Sequence, residues 1–183
     1  GPGGNPSVIR QWPGMLDVEP MDGMYAMKTS RLETYDMKNG DNGGVVFDHL
    51  FGGNGDLVTG PLSPIGDAAI NDAHGFTEET LDMMRDWYGY RSIDDNGFVI
   101  VSRVHYGVDA VQAAWDGMRV TYGDGNGAVY PLSGAIDAVA HEIHHGFTEK
   151  HSHLVYNSEA GGLNESFSDI AGTIAEHYRI SSA

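Results

Sequence analysis

Two histidines four residues apart, His141 and His145, with Glu142 directly after the first, are the residues in this chain whose types and spacing are equipped for chemistry. On an α-helix a step of about 100° per residue places i and i+4 on one face, one turn apart, so both imidazoles reach one ion. Zinc suits such a pair: it takes nitrogen ligands in roughly tetrahedral array and, where it is catalytic, keeps one position open for water. Glu142 then stands beside that water, able to accept its proton. The five-residue pattern also arises by chance, so its surroundings must decide. Further on, Asn164-Glu165-Ser166-Phe167-Ser168-Asp169 offers two acids at another four-residue offset. Glu165 is the expected third ligand, and Asp169 is expected to accept the free N–H of a liganded histidine, fixing its tautomer. Two acids left unpaired on a buried face would be costly, which favours a metal over a plain structural role. His144 falls outside the i, i+4 geometry and is expected at the surface or in support of a ligand.

The elements that must hold these residues follow from periodicity. Ile136, Val139, Ala140, Ile143 and Phe147 form one apolar stripe after the start signal Pro131-Leu132-Ser133-Gly134, so the histidines can face a cleft while their helix is anchored in a core. Leu163, Phe167, Ile170, Ile174 and Tyr178 predict a second helix with its own apolar stripe. Earlier, Ala69, Ala73, Phe76, Thr80, Met83 and Trp87 recur at intervals of four and three, predicting an amphipathic helix near 67–89 that ends at Gly89. Residues 1–66 are rich in Gly, Asp and Asn, with short candidate strands such as Gly44 to Phe47, and read as antiparallel and loop-rich. Phe98 to Tyr106 and Met118 to Tyr122 are expected strands, followed by the turn Gly123-Asp124-Gly125-Asn126-Gly127. The expected class is α+β: a β-rich region over 1–133, then zinc-bearing helices over 134–183.

A length of 183 residues with 40% apolar content can bury a real core. No run approaches the roughly 18 apolar residues of a membrane span. The opening Gly1-Pro2-Gly3-Gly4-Asn5 lacks the features of a signal peptide, so the chain reads as a mature or trimmed form. Twenty-six acidic against ten basic residues give a net charge of −16, which argues against nucleic acid or anionic membrane as partner. The acidity is either a solvated surface or, in part, a set of hard oxygen ligands for calcium. With no cysteine, disulfides and thiolate metal sites are excluded, so any metal rests on His, Asp and Glu.

The run of Val104-His105-Tyr106-Gly107, Ala114-Trp115-Asp116-Gly117, Tyr122-Gly123-Asp124-Gly125, His141-Glu142-Ile143-His144-His145-Gly146-Phe147-Thr148-Glu149, Leu154-Val155-Tyr156 and Gly162-Leu163-Asn164-Glu165-Ser166-Phe167-Ser168-Asp169 resembles the thermolysin family in order and spacing. Its wording is closer to the elastase-like bacterial branch, that of pseudolysin and vibriolysin. The resemblance is densest from about residue 98 to 178. It implies a secreted, extracellular zinc metalloendopeptidase with a peptide or protein substrate, zinc on His141, His145 and Glu165, Glu142 as general base and Asp169 orienting a ligand. It adds Tyr156 as a donor to a developing oxyanion. It also implies an edge strand around Gln112 and Ala113 that pairs with an extended peptide, with Trp115 packing nearby. Family members usually carry Asn where this chain has Gln112, and an aromatic where it has Ala114. Asp137 and Glu176 match family calcium positions, one on each zinc-bearing helix.

The same resemblance implies a C-terminal helical domain that closes the cleft and supplies further transition-state donors. It is expected as a missing segment or a separate chain, with the chain described here weakly active or inactive alone. Two rivals remain: a non-catalytic metal-binding half that serves as a scaffold, and another zinc hydrolase, such as an aminopeptidase, using the same helix motif.

Overall fold

A computed structural model of the chain describes residues 18–21, 24–40, 55–60, 66–154 and 156–182. The expected strand Gly44 to Phe47 and the opening Gly1 to Asn5 lie outside the described residues. The chain is α+β, with one helix set among the strands and two helices after them. Strands β1 (Glu19–Met21), β2 (Met24–Ala26) and β5 (Thr59–Gly60) form a small antiparallel sheet. A larger sheet runs in the order β4 (Asp56–Leu57), β3 (Leu32–Asp36), β6 (Ile100–Val104), β8 (Arg119–Tyr122), β7 (Ala113–Trp115). Pairs within residues 1–66 are antiparallel, whereas β3 with β6 and β6 with β8 are parallel. A parallel pair needs a long crossover, and between β3 and β6 it is the helix α1 (Ala68–Met83).

That crossover explains how α1 differs from the amphipathic helix expected over this stretch. It touches β3 and β6 on one side and the later helices on the other, so polar positions are buried along with apolar ones. Asn71, Asp72, His74, Thr77, Glu78 and Thr80 all lie inside. The sheet meets them with hydroxyls: Thr34 Oγ1 is 2.8 Å from His74 Nδ1, and Ser102 Oγ is 3.3 Å from Thr77 Oγ1. Buried polar groups are tolerated when so paired. Asp67 caps the N-terminus by accepting from Ile70 N, and a π turn, Met84–Tyr88, leads to Gly89 in the left-handed conformation.

Helix α2 spans Ile136–His151 and α3 spans Ser158–Ser182. Val139, Ala140 and Ile143 bury the predicted stripe of α2. The expected stripe of α3 does not behave in the same way. Leu163, Phe167 and Ile170 are 61%, 41% and 59% exposed, and there α3 instead buries Gly161, Asn164, Ser168, Ala171, Gly172 and Ala175, while Tyr178 at the end of the expected stripe is buried and Ile174 packs against the core. The buried row is turned one residue, about 100°, from the apolar one. Small residues on it allow close approach: a Cβ on Gly172 would sit 2.7 Å from the Asp137 carbonyl oxygen. At its far end α3 is tied to α1 by Arg179 donating to Glu79 at 2.7 Å and to the π turn after α1 by the Tyr178 hydroxyl donating to Asp86 at 2.7 Å.

His144 is likewise corrected: it is fully buried, not at the surface. It shares a row with Ala140 in the core-facing stripe, and its Nδ1 donates to the Ala140 carbonyl at 2.7 Å. Tyr88, Phe147 and Phe167 surround its ring. Burial drives its pKa down to about 4, and its Nε2 has no partner.

Candidate metal centre

The packing of α2 on α3 brings His141, His145 and Glu165 together, and among the described residues they form the one group able to hold a metal ion. His141 Nε2 lies 3.0 Å from His145 Nε2 and 3.2 Å from Glu165 Oε2, and His145 Nε2 lies 3.6 Å from Glu165 Oε1. A tetrahedral ion with ligands at about 2.0–2.1 Å separates its donor atoms by about 3.3 Å, so the two Nε2 atoms and the Glu165 carboxylate, which offers a different oxygen to each histidine, fit zinc. The other ring nitrogens support the same conclusion. His141 Nδ1 is 2.9 Å from Asp169 Oδ1, and His145 Nδ1 is 2.7 Å from Asn164 Oδ1. Those acceptors hold the Nδ1 protons, so in the neutral rings both Nε2 lone pairs point at one another and call for a cation between them.

Asn164 contacts the cluster although the sequence did not single it out. It is buried and orients His145 as Asp169 orients His141, with Ser168 Oγ a further 3.2 Å neighbour of His145 Nδ1. Its signal was its place directly before Glu165, on the row that α3 turns to α2.

Glu142 points to β7, the edge strand of the larger sheet, where the backbone N–H of Trp115 donates to Glu142 Oε2 at 2.9 Å. Burial raises the Glu142 pKa, aided by Glu165 and opposed by His145 and the Trp115 N–H. The indole N–H of Trp115 donates to Glu149 Oε2 at 3.0 Å. Ala113 pairs with Tyr122 on the inner side of β7. The Gln112 carbonyl accepts from Gly123 N at 3.0 Å, while its side-chain amide nitrogen is buried without a partner. Tyr156 is 66% exposed and sits edge-on to His145, with ring centroids 5.8 Å apart.

Two cavities meet at His141 and Glu142. The larger, about 810 Å³, runs along β7 past Trp115, His145 and Tyr156. The smaller, about 350 Å³, lies toward Leu132, Asp137 and Thr173. Asp137 is exposed on α2, and burial, with a smaller contribution from the Asp137 charge, raises the pKa of Glu176 on α3. Those two acids stand apart from the histidine cluster, and no third His, Asp or Glu among the described residues joins them as a ligand group.

A mixed sheet crossed by one helix, with a His-Glu-x-x-His helix completed by a glutamate from the next, defines a metallopeptidase architecture of the thermolysin type. The family models agree: the thermolysin metallopeptidase catalytic domain matches residues 9–149, and the alpha-helical domain of the same family matches 152–183. The chain belongs to the thermolysin metallopeptidase family. It is 37% identical to a virulence metalloprotease of Vibrio anguillarum and 36% identical to a hemagglutinin/proteinase of Vibrio cholerae, each over 97% of this chain and 29% of the relative. The precursor of protealysin, a metalloproteinase from Serratia proteamaculans, superposes with a TM-score of 0.71 at 29% identity, covering 82% of this chain and 44% of that one. The chain thus spans about three-tenths of the length of these Vibrio relatives.

Proposed function

We propose that this chain carries the metal ligands and general base of a secreted zinc metalloendopeptidase that hydrolyses internal peptide bonds. The observation that carries the reading is the convergence of His141 Nε2, His145 Nε2 and the Glu165 carboxylate at contacts of 3.0, 3.2 and 3.6 Å, with both Nδ1 atoms already bound to acceptors. A zinc ion held there would polarise a peptide carbonyl and acidify a water molecule. Glu142 would take a proton from the attacking water and return it to the leaving amine, and the Trp115 N–H that it accepts would hold its orientation. The outer edge of β7 at Ala113 offers backbone groups to an extended peptide, beside Gln112 and Trp115. The hydroxyl of Tyr156 would donate to the oxygen on which charge develops. Calcium held between Asp137 and Glu176 would relieve their mutual repulsion and clamp α2 to α3. Secretion accords with the family resemblance, and none of the described helices is long and apolar enough to cross a membrane.

The decisive experiment pairs metal analysis with a Glu142→Ala variant assayed on a long, end-blocked peptide. The expected result is one zinc per chain in both proteins, with hydrolysis lost only in the variant. Zinc-independent hydrolysis, or a variant as active as its parent, would sink the proposal. An exopeptidase would leave the blocked peptide intact. A second reading, a metal-binding half that needs another helical domain for activity, is favoured by the exposure of Leu163, Phe167 and Ile170 on α3.

A further inference from the structure

The larger cavity is apolar along its β7 wall, where Ala113, Ala114 and Trp115 lie, yet every Asp, Glu, Lys or Arg side chain on its lining is acidic. These are Asp116, Glu142, Glu149 and Glu165, and three of them are engaged. Asp116 accepts from Arg119 Nε at 3.0 Å and Arg103 Nη2 at 3.4 Å, Glu142 accepts from the Trp115 backbone, and Glu165 faces the two histidines. Glu149 is held by the Trp115 indole and by a 3.4 Å contact with Lys150, and its side chain lies at the exposed rim. It follows His145 by four residues, so it stands on the same face of α2, about 6 Å further along the axis.

The Glu149 carboxylate is also held in place. Its Oε2 accepts the indole N–H of Trp115, which pins it against the cavity wall. Its Oε1 is 3.4 Å from Lys150 Nζ, a long contact between exposed neighbours that contributes little, and that ammonium also lies 5.6 Å from the centre of the Phe98 ring. A carboxylate has about four acceptor sites, so room remains for a cationic donor from outside the chain.

Resting on the peptidase reading above, we infer that Glu149 is a specificity-determining residue: the cleft seats a lysine or arginine side chain of the bound peptide at one fixed position relative to the cleaved bond. The aliphatic stem lies along the Ala114 and Trp115 wall, and the charged tip reaches Glu149 at the rim. Alanine at position 114 leaves this wall open for a long side chain. An aspartate or glutamate in that position meets like charge and is disfavoured. The net charge of −16 attracts cationic peptides in general but carries no positional information, so position is what separates the two effects.

The test is a peptide library digested by the zinc-loaded full-length protein, with every cleavage site mapped by mass spectrometry. Lysine and arginine should be enriched about tenfold over acidic residues at a single position, always on the same side of the cut. Glu149→Gln keeps an acceptor for the Trp115 indole and should bring the lysine-to-leucine ratio at that position near one, while Glu149→Lys should enrich acidic residues there. Repeating the wild-type digest at high salt needs no variant and should shrink the enrichment. Cleavage without a positional preference, or a preference that survives Glu149→Gln, overturns the inference and leaves the peptidase reading intact. No cleavage of any library member by the zinc-loaded protein overturns both.

Discussion

The side chains behind the proposed metal ligands should matter as much as the ligands. Asn164 and Asp169 each accept from one histidine, so removing either frees a ring to rotate and to take the wrong tautomer. Asn164→Ala and Asp169→Ala should each weaken zinc binding roughly 10–100-fold. Competition with a chromophoric chelator measures this, and affinities equal to the parent's would show that the rings are held by other means. His144 sits between the ligands yet faces the core, with its Nε2 unsatisfied. His144→Leu removes that buried orphan, and the expected gain is roughly 1 kcal/mol in denaturant unfolding with zinc content unchanged. Loss of zinc in this variant would instead show that His144 acts on the site.

The site exists because elements approach closely, and two contacts between elements make predictions. Gly172 lets α3 lie against the backbone of α2 at Asp137, and a methyl there would meet a carbonyl oxygen at 2.7 Å. Gly172→Ala should cost about 1–3 kcal/mol of stability and weaken zinc binding, because Glu165 on α3 is pushed from the histidines on α2. Thermal melts with and without zinc would check it, and a variant melting like its parent would show that the helices can slide. The second contact is His105, just past β6, which reaches Asp124 Oδ1 at 2.7 Å in the turn after β8 and Asp67 Oδ2 at 3.1 Å at the start of α1. Asp67, first, and Asp124 raise its pKa to about 9, while burial opposes them. A base raised in the folded state binds its proton more tightly there than in the unfolded chain, whose reference value is about 6.5. Its contribution is therefore complete below pH 6.5 and is lost as pH rises through 9. Asp67 is shifted the other way, its pKa lowered chiefly by His105, so its share is lost as pH falls below the ordinary carboxylate range. The melting temperature should drop between pH 7 and 10, and His105→Asn, which tolerates the residue's φ of +54°, should flatten that drop. An unchanged slope in the variant would assign the drop to other groups.

At the scale of the whole molecule, the exposed Leu163, Phe167 and Ile170 lie on the same helix as the third ligand. That is apolar surface a cleft-closing helical domain would cover. Residues 1–183 expressed alone should bind zinc and hydrolyse peptides roughly 10²–10³-fold more slowly than a form joined to such a domain, the loss expected when one transition-state donor is missing. Equal rates for both forms would show that the chain is self-sufficient.

The cluster that could hold a metal was legible in the sequence because it depends on local spacing. His141, Glu142 and His145 share a helical turn, Glu165 and Asp169 share another, and helical geometry fixes those relations before any packing occurs. Strands at 98–106 and 118–122 were legible for the same reason, since alternation and β-branching act over a few residues. What tertiary structure decided was which face of each helix turned inward. The stripe of Leu163, Phe167 and Ile170 has the spacing of a core face, yet α3 buries Asn164, Ser168 and Gly172, because only small residues let its backbone approach Asp137. His144 went inside, and α1 became buried on all sides, because the sheet and two helices close around them. The Trp115 N–H on Glu142 and its indole N–H on Glu149 join residues 27 and 34 positions apart, a relation that arises only when β7 is laid against α2.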